Sequence, residues 1–481
     1  MTDGSIAASE ALKRPLASAR RLILPLALAQ FICSFAGSNM NVMINDISED
    51  LDTTVKGVQT AITLFLLIMA VLMIPCSKLT DRWGRKRCFT LGLTLYGIGA
   101  LISAVSPNLG VLILGNSVLE GVGTAFLIPP VYILATLWFS GLTSRAWAFG
   151  VISGLGGIGA AAGPLIGGLI TTGISWRAAF LFQAAVVAVI VLLSRRLEDP
   201  LEADPTRPFD LIGAVLSAVG MFCIVFGILQ AGSNNTLFAI FLVIGAAFML
   251  AFFLYIRSRE RAGKEALLST GLFKNRTCNL ALVTQNIQWL LLLGTSFVVS
   301  VYLQEVRGYS AIKTGVVFTA ATLGILASSL AAERLAKRFQ QKTLIVAGFV
   351  VTLVGIVLLL GLVRASDSIW AFVPGLLLIG LGVGAMLTPS VNVVQSSFPE
   401  EMQGEISGLS RSVSNLGSSF GTAIAGTILV SVVELGTRSY AVAMIVLAGF
   451  GLLGLLAAIR LPADTGRVAA AAASRPVDQT G

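Results

Sequence analysis

Residues Gly154–Ile170 read GLGGIGAAAGPLIGGLI, a stretch with seven glycines, one proline and no charge. In water such a segment would not hold a helix, because each interior Gly costs about 1 kcal/mol against Ala and Pro removes a backbone hydrogen bond. In a bilayer the same residues are useful: small side chains let helices approach closely, and neighbours re-satisfy the carbonyl that Pro frees. Gly159, Gly163 and Gly167 recur every four residues and fall on one helix face, and Pro164 interrupts the run. The spacing predicts a kinked membrane helix with one bare face, serving either as a tight helix–helix contact or as a hinge.

The surrounding chain fits that setting. Its 481 residues are 56% hydrophobic and 12% charged, with mean hydropathy +0.88, more apolar surface than a soluble domain could bury. Runs of spanning length recur at residues 22–46, 58–78, 88–106, 109–138, 146–172 and 178–197. A polar linker, Glu198–Pro208, holds three of the fifteen prolines. Further runs follow at 210–231, 237–257, 278–304, 312–332, 343–363, 369–396, 405–434 and 439–460, giving fourteen expected spans.

The net charge of +9 is spread over short loops, which points to topology rather than to nucleic acid. With an inner N-terminus the outer loops hold six basic residues, Lys56, Arg177, Arg307, Lys313, Arg364 and Arg438, of the 33 in the chain. Positive charge retained inside then puts both termini in the cytoplasm of a multi-pass cell-membrane protein. The five cysteines show no metal spacing, and the absence of His excludes a Ser/His/Asp triad and His-based proton relays. No Gly-Lys-Ser/Thr phosphate loop supports ATP-driven pumping. Neither an enzyme nor a metal or organic cofactor is expected.

Two motifs carry a family resemblance. Gly150, Gly159, Gly163-Pro164 and Gly167-Gly168 have the spacing of the antiporter signature on the fifth helix of drug:proton antiporters in the major facilitator superfamily. Upstream, Ser77-Lys-Leu-Thr-Asp81-Arg82-Trp-Gly84-Arg85-Lys86-Arg87 resembles that superfamily's loop between helices two and three, with Ser77 where Gly is usual. The resemblance, to the 14-helix multidrug-efflux branch, covers nearly the whole chain. It implies an all-α major facilitator fold with two six-helix bundles, 22–197 and 277–461, and an insertion of two helices within 198–276. The flanks are an N-terminal tail, 1–21, and a disordered C-terminal tail, 462–481. Glu333–Phe339 stands where the second half should echo the Asp81–Arg87 loop.

The function implied is proton-coupled export of lipophilic or amphipathic, chiefly cationic, compounds by alternating access, in a monomer driven by the proton gradient. Export of a lipid or envelope metabolite, facilitation without proton coupling, and a channel or transport-dead receptor stand as alternatives. Asp81, with Arg82, Gly84, Arg85 and Arg145, is the candidate cytoplasmic gate, or else a positive-inside anchor with an incidental acid. Glu120 lies about eleven residues into its span with no basic partner on its own helix. A charge there is costly, so it either carries a proton, faces water or pairs with a cation. A protonated Glu hydrogen-bonded to Asn116 or to a neighbouring helix is the plainer reading.

The chain departs from its relatives in two places: Phe35-Ala36 stands where the branch has Leu-Asp, and Ser117 and Glu120 stand where it has Arg and Gln. The protonatable group is therefore expected to have moved to Glu120, with Asp46 as second candidate. Asn39, Asn41, Asn116, Gln285, Gln288, Trp289, Asn392 and Arg411 are the expected cavity residues, although intramembrane amides often only join helices.

Overall fold

The computed structural model describes residues 16–139, 142–195, 197–200, 203–206, 208–231, 234–366, 368–398, 402–431 and 438–462. The tails 1–15 and 463–481 lie outside the described residues, as do the side chains of Arg145, Glu333, Arg334 and Lys337. Among the described residues the chain is all helix, without a strand. The long helices are α1 (Leu16–Asn39), α2 (Val55–Trp83), α3 (Arg85–Ala104), α4 (Leu109–Trp138), α5 (Leu142–Gly173), α6 (Trp176–Ser194) and α7 (Leu211–Gln230). They continue as α8 (Asn235–Arg261), α9 (Arg276–Val306), α10 (Ala311–Arg338), α11 (Gln341–Ala365), α12 (Val373–Gln395), α13 (Gln403–Ser431) and α14 (Arg438–Ile459).

Twelve of the described helices are long and apolar enough to cross a membrane, and thirteen if the bent α5 counts as one span. The expected fourteenth, α13, falls outside that set. It carries Arg411 and Asn415 amid a row of serines and is held by packing rather than by apolarity. In α5, segments Trp147–Ala160 and Ala162–Gly173 meet at 44°, just before Pro164, where a proline breaks the hydrogen-bond ladder.

Helix starts are set by side-chain caps. Thr54, Asn108, Ser175, Asp210, Asn234 and Asn275 each accept a bond from a backbone N–H in the first turn of α2, α4, α6, α7, α8 and α9. Asp210 also accepts from the Leu267 N–H at 3.0 Å and so ties α7 to the segment leading into α9. The first span ends earlier than the hydropathy suggested. α1 stops at Asn39, a tight turn covers Met40–Val42, and Ile44–Asp50 is a separate short helix. Asn45 and Asp46 therefore sit beyond α1.

The helices form two similar bundles, α1–α6 and α9–α14. In the first, α3 and α4 touch backbone to backbone: a Cβ at Gly92 would lie 2.7 Å from the Gly123 carbonyl, and one at Gly99 2.7 Å from that of Gly115. In the second, α11 and α12 meet in the same way at Gly348 with Gly382 and at Gly355 with Gly375. The bundles meet through α5 on α10 and α13 on α2, partners exchanged as two related repeats require. Helix α7 lies on the α2–α13 seam, where Leu67, Val71, Val225, Leu229 and Ala423 form a small apolar core, and α8 packs mainly on α7.

Candidate functional site

One side chain breaks the repeat. From Gly115 to Gly123 there are eight residues, whereas Gly375 to Gly382 spans seven. The surplus residue is taken up by wide π-type turns over Ile113–Glu120, a form of helix that recurs at functional positions. Against Gly99 the first bundle presents Glu120; against the matching Gly355 the second presents Ile379. The Glu120 side chain is fully buried between α3 and α4, one oxygen accepting from the Ser103 hydroxyl at 3.4 Å and the other without a partner among the described residues. It does not line the central cavity. Ser117, one turn away, donates to the Ala61 carbonyl of α2 at 2.8 Å.

A line of polar groups reaches Glu120 from the face bearing the α1–α2 and α5–α6 loops. Arg177 pairs with Asp50 and donates to the Ser106 carbonyl at 2.9 Å. The Ser106 hydroxyl donates to the Ser103 carbonyl at 2.8 Å, and Ser103 donates to Glu120. On the far side, Thr124 donates to the Glu120 carbonyl at 2.8 Å, and the Tyr96 hydroxyl bonds Gln183 at 2.5 Å.

Between the bundles lies a narrow cavity of about 50 Å³, room for a few waters. Gln30, Cys33 and Ser34 of α1, Met69 and Met73 of α2, Trp289 of α9, and Arg411 and Asn415 of α13 line it. The Arg411 guanidinium stacks on the Tyr132 ring, 4.3 Å from its centroid, and donates to its hydroxyl. Tyr132 donates to Gln30 at 3.2 Å, and the Gln30 amide donates to Ser34 at 3.1 Å. This chain joins the two bundles through one arginine.

Of the expected cavity residues, Trp289 and Arg411 line this space. Gln285 and Gln288 instead accept bonds from Ser410 and Ser390 inside the second bundle. Asn39 packs against Gly163 and Gly167. Asn41 offers its carbonyl to Ser300 and, at 3.0 Å, to Gln304 of α9. Asn116 is buried, and Asn392 is exposed. The side-chain atoms of Asn39, Asn41 and Asn116 have no partner among the described residues. Asp46 is half-buried outside the spans, and loss of solvent pushes its carboxyl up from the usual aspartate range.

Both ends are bridged. On the face with the α2–α3 loop, Asp81 bonds Arg85 at 2.8 Å within the loop, and Gly84 makes the turn at φ +92°, a conformation that favours glycine. Asp199, in the linker after α6, caps α3 by accepting from the Arg85 N–H at 2.6 Å. An ion pair across the bundles is made by Lys78 with Glu405 at 2.5 Å, and Glu405 also accepts from the Ser269 N–H at 3.2 Å. At the opposite end a Cβ at Gly315 of α10 would lie 2.5 Å from the Pro164 carbonyl of α5, and Gly168 abuts Ala311. Gly159 and Gly163 face Phe31 and Ser38 of α1, whereas a Cβ at Gly150 would meet nothing within 4 Å.

Sequence reasoning missed Gln30, Tyr132, Lys78, Glu405 and Asp199. Gln30 was visible as a lone amide in an apolar run, and Tyr132 follows Pro129-Pro130. The pairing of Lys78 with Glu405 spans 327 positions and left no local pattern.

The profile of the Major Facilitator Superfamily matches residues 26–284 and again 280–478. The puromycin resistance protein pur8 of Streptomyces alboniger is 30% identical over 405 residues, 83% of this chain and 80% of that one. The multidrug efflux pump LfrA of Mycolicibacterium smegmatis is 29% identical over 389 residues, 79% and 75% of the two chains. Among solved structures, a peptide transporter POT in complex with sulfate superposes with a TM-score of 0.65 at 16% identity, covering 91% of this chain and 94% of that one.

Proposed function

The chain belongs to the Major Facilitator Superfamily, a multi-pass membrane transporter rather than an enzyme, and from that premise we propose that it exports lipophilic or amphipathic compounds by alternating access, coupled to proton inflow. The relatives' roles in drug resistance and efflux support the direction of transport. We further propose fourteen spans with both termini cytoplasmic, α13 being the span whose polar face borders the cavity. The two six-helix bundles, 22–197 and 277–461, are then the rocking units, with α7 and α8 riding on the seam. The chain works as a monomer in this reading.

The observation that carries the coupling is the Glu120 carboxyl, inserted by one extra residue into a glycine-lined seam that its repeat partner fills with Ile379. Ionising it there without a cation costs several kcal/mol, so it holds a proton until the seam opens to water. Asp50, Arg177, Ser106 and Ser103 mark the polar side of the seam, along which entering water carries the proton from the outer face to Glu120. Cys33 lines the cavity and Thr124 donates to the Glu120 carbonyl, so loading of the cavity and loosening of the α3–α4 seam are linked through α1 and α4. The Lys78–Glu405 pair is the cytoplasmic latch, with Asp81, Arg82, Gly84 and Arg85 shaping the loop beside it. The expectation of cationic substrates comes from the resemblance, and the buried Glu120 adds nothing to it.

Drug accumulation in a host lacking its own pumps tests the reading. Expression should lower the steady-state level of lipophilic probes, and a protonophore should restore it. Equal accumulation with and without the protein would refute export.

A further inference from the structure

Resting on the exporter reading, we infer that the central site selects amphipathic compounds bearing an acidic or strongly hydrogen-bond-accepting group and discriminates against permanent cations. Among the described residues lining the cavity, Arg411 carries the only charge. The elements facing it offer amides, hydroxyls, a thiol and thioethers: Gln30, Ser34 and Cys33 from α1, Met69 and Met73 from α2. Trp289 comes from α9, and none of these elements contributes a carboxylate to the lining. Two described acids of the neighbouring helices are engaged elsewhere. Glu120 is sealed between α3 and α4, and Glu405, six residues before Arg411, is held by Lys78 and the Ser269 N–H at the end of the bundle.

A guanidinium presents five N–H donors in a planar fork suited to a carboxylate or phenolate. The structure engages Arg411 with a single hydroxyl, that of Tyr132, and no acid. Its flat face covers the Tyr132 ring, which closes that ring to a cationic ligand and leaves the Trp289 indole as the aromatic surface of the lining. Like charges repel more strongly in a buried space than in bulk water. Trp289, Met69 and Met73 supply the apolar contacts for the remainder of an aromatic ligand.

The test uses the whole protein in lipid nanodiscs and three radiolabelled probes built on one naphthyl scaffold, ending in a carboxylate, a neutral amide or a trimethylammonium group. Equilibrium binding should rank carboxylate above amide above trimethylammonium, with about a tenfold gap between the extremes. Arg411→Gln should collapse the gap, and Arg411→Lys, which keeps the charge, should retain most of it and so serves as the folding control. A trimethylammonium probe bound as tightly as the carboxylate by the wild type overturns the inference, as does binding of no probe or a gap unchanged in Arg411→Gln. Counterflow in liposomes separates the two layers. Counterflow without a charge ranking refutes this inference and leaves export standing, whereas the expected ranking without counterflow of any probe supports the inference and refutes export.

Discussion

Replacing Gly315 by alanine should drive the protein toward the state open at the outer end. The added Cβ would lie 2.5 Å from the Pro164 carbonyl, and Cβ atoms are not found closer than 3.0 Å, so α5 and α10 must part by about 0.5 Å or more. Both atoms in conflict are tied to backbone, and overpacking of this kind costs about 1–3 kcal/mol. The contact joins the two bundles, so the penalty falls only on the state in which that end is closed. A differential of that size shifts a two-state population about 5–150-fold. Cys33 reports the shift, since it is the only one of the five cysteines that lines the cavity and is buried in the closed state. In a variant keeping Cys33 alone, a membrane-impermeant maleimide added outside intact cells should label it faster by a factor in that range when Gly315 is alanine. Gly92→Ala is the control: its Cβ meets the Gly123 carbonyl at 2.7 Å within one bundle and should lower stability without raising labelling. Unchanged labelling in Gly315→Ala, or an equal rise in Gly92→Ala, would refute the reasoning.

Three further outcomes follow from the contacts described. Glu405→Gln removes the partner of Lys78, and with both side chains about a quarter exposed the loss is about 0.5–1 kcal/mol. Labelling of Cys33 from the cytoplasmic side of inverted vesicles should rise about two- to fivefold, and the charge swap Lys78→Glu with Glu405→Lys should reverse most of it. Asp199→Ala strips the cap from α3 and should lower stability by about 1 kcal/mol, read as a lower melting temperature in nanodiscs. Asp46 has a folded pKa above its unfolded one, so its contribution to stability falls as pH rises through that window. Asp46→Asn should therefore raise the melting temperature at neutral pH and leave it unchanged at acid pH, where the wild-type carboxyl is protonated in both states. A rise at both pH values would contradict the assigned cause.

The membrane class, the two motifs and the kink before Pro164 were legible because each rests on a local pattern of apolar runs, glycine spacing or a single proline. Arg411 and Trp289 could be named as cavity residues because a charge or an indole in an apolar span has few places to go. What escaped was set by partners distant in sequence. Gln285 and Gln288 resemble cavity amides in isolation, yet Ser410 and Ser390 claim them inside one bundle. Asp81 dominates its basic loop by charge, yet Lys78, one turn earlier, points across the interface to Glu405. The break after Asn39 was masked by the apolar residues of the turn that follows it. The repeat was faint in sequence because the glycines that define it occupy different local contexts in α3–α4 and α11–α12, and the extra residue before Glu120 shifts the register between them.

The central claim is that a proton bound at Glu120 drives export, and proton movement is measured most directly in liposomes holding the purified protein and a pH-sensitive dye. A substrate gradient should move protons in the wild type. In Glu120→Gln the same gradient should move none, while substrate counterflow, which needs no net proton transfer, continues. Proton movement in Glu120→Gln equal to that of the wild type would contradict the account.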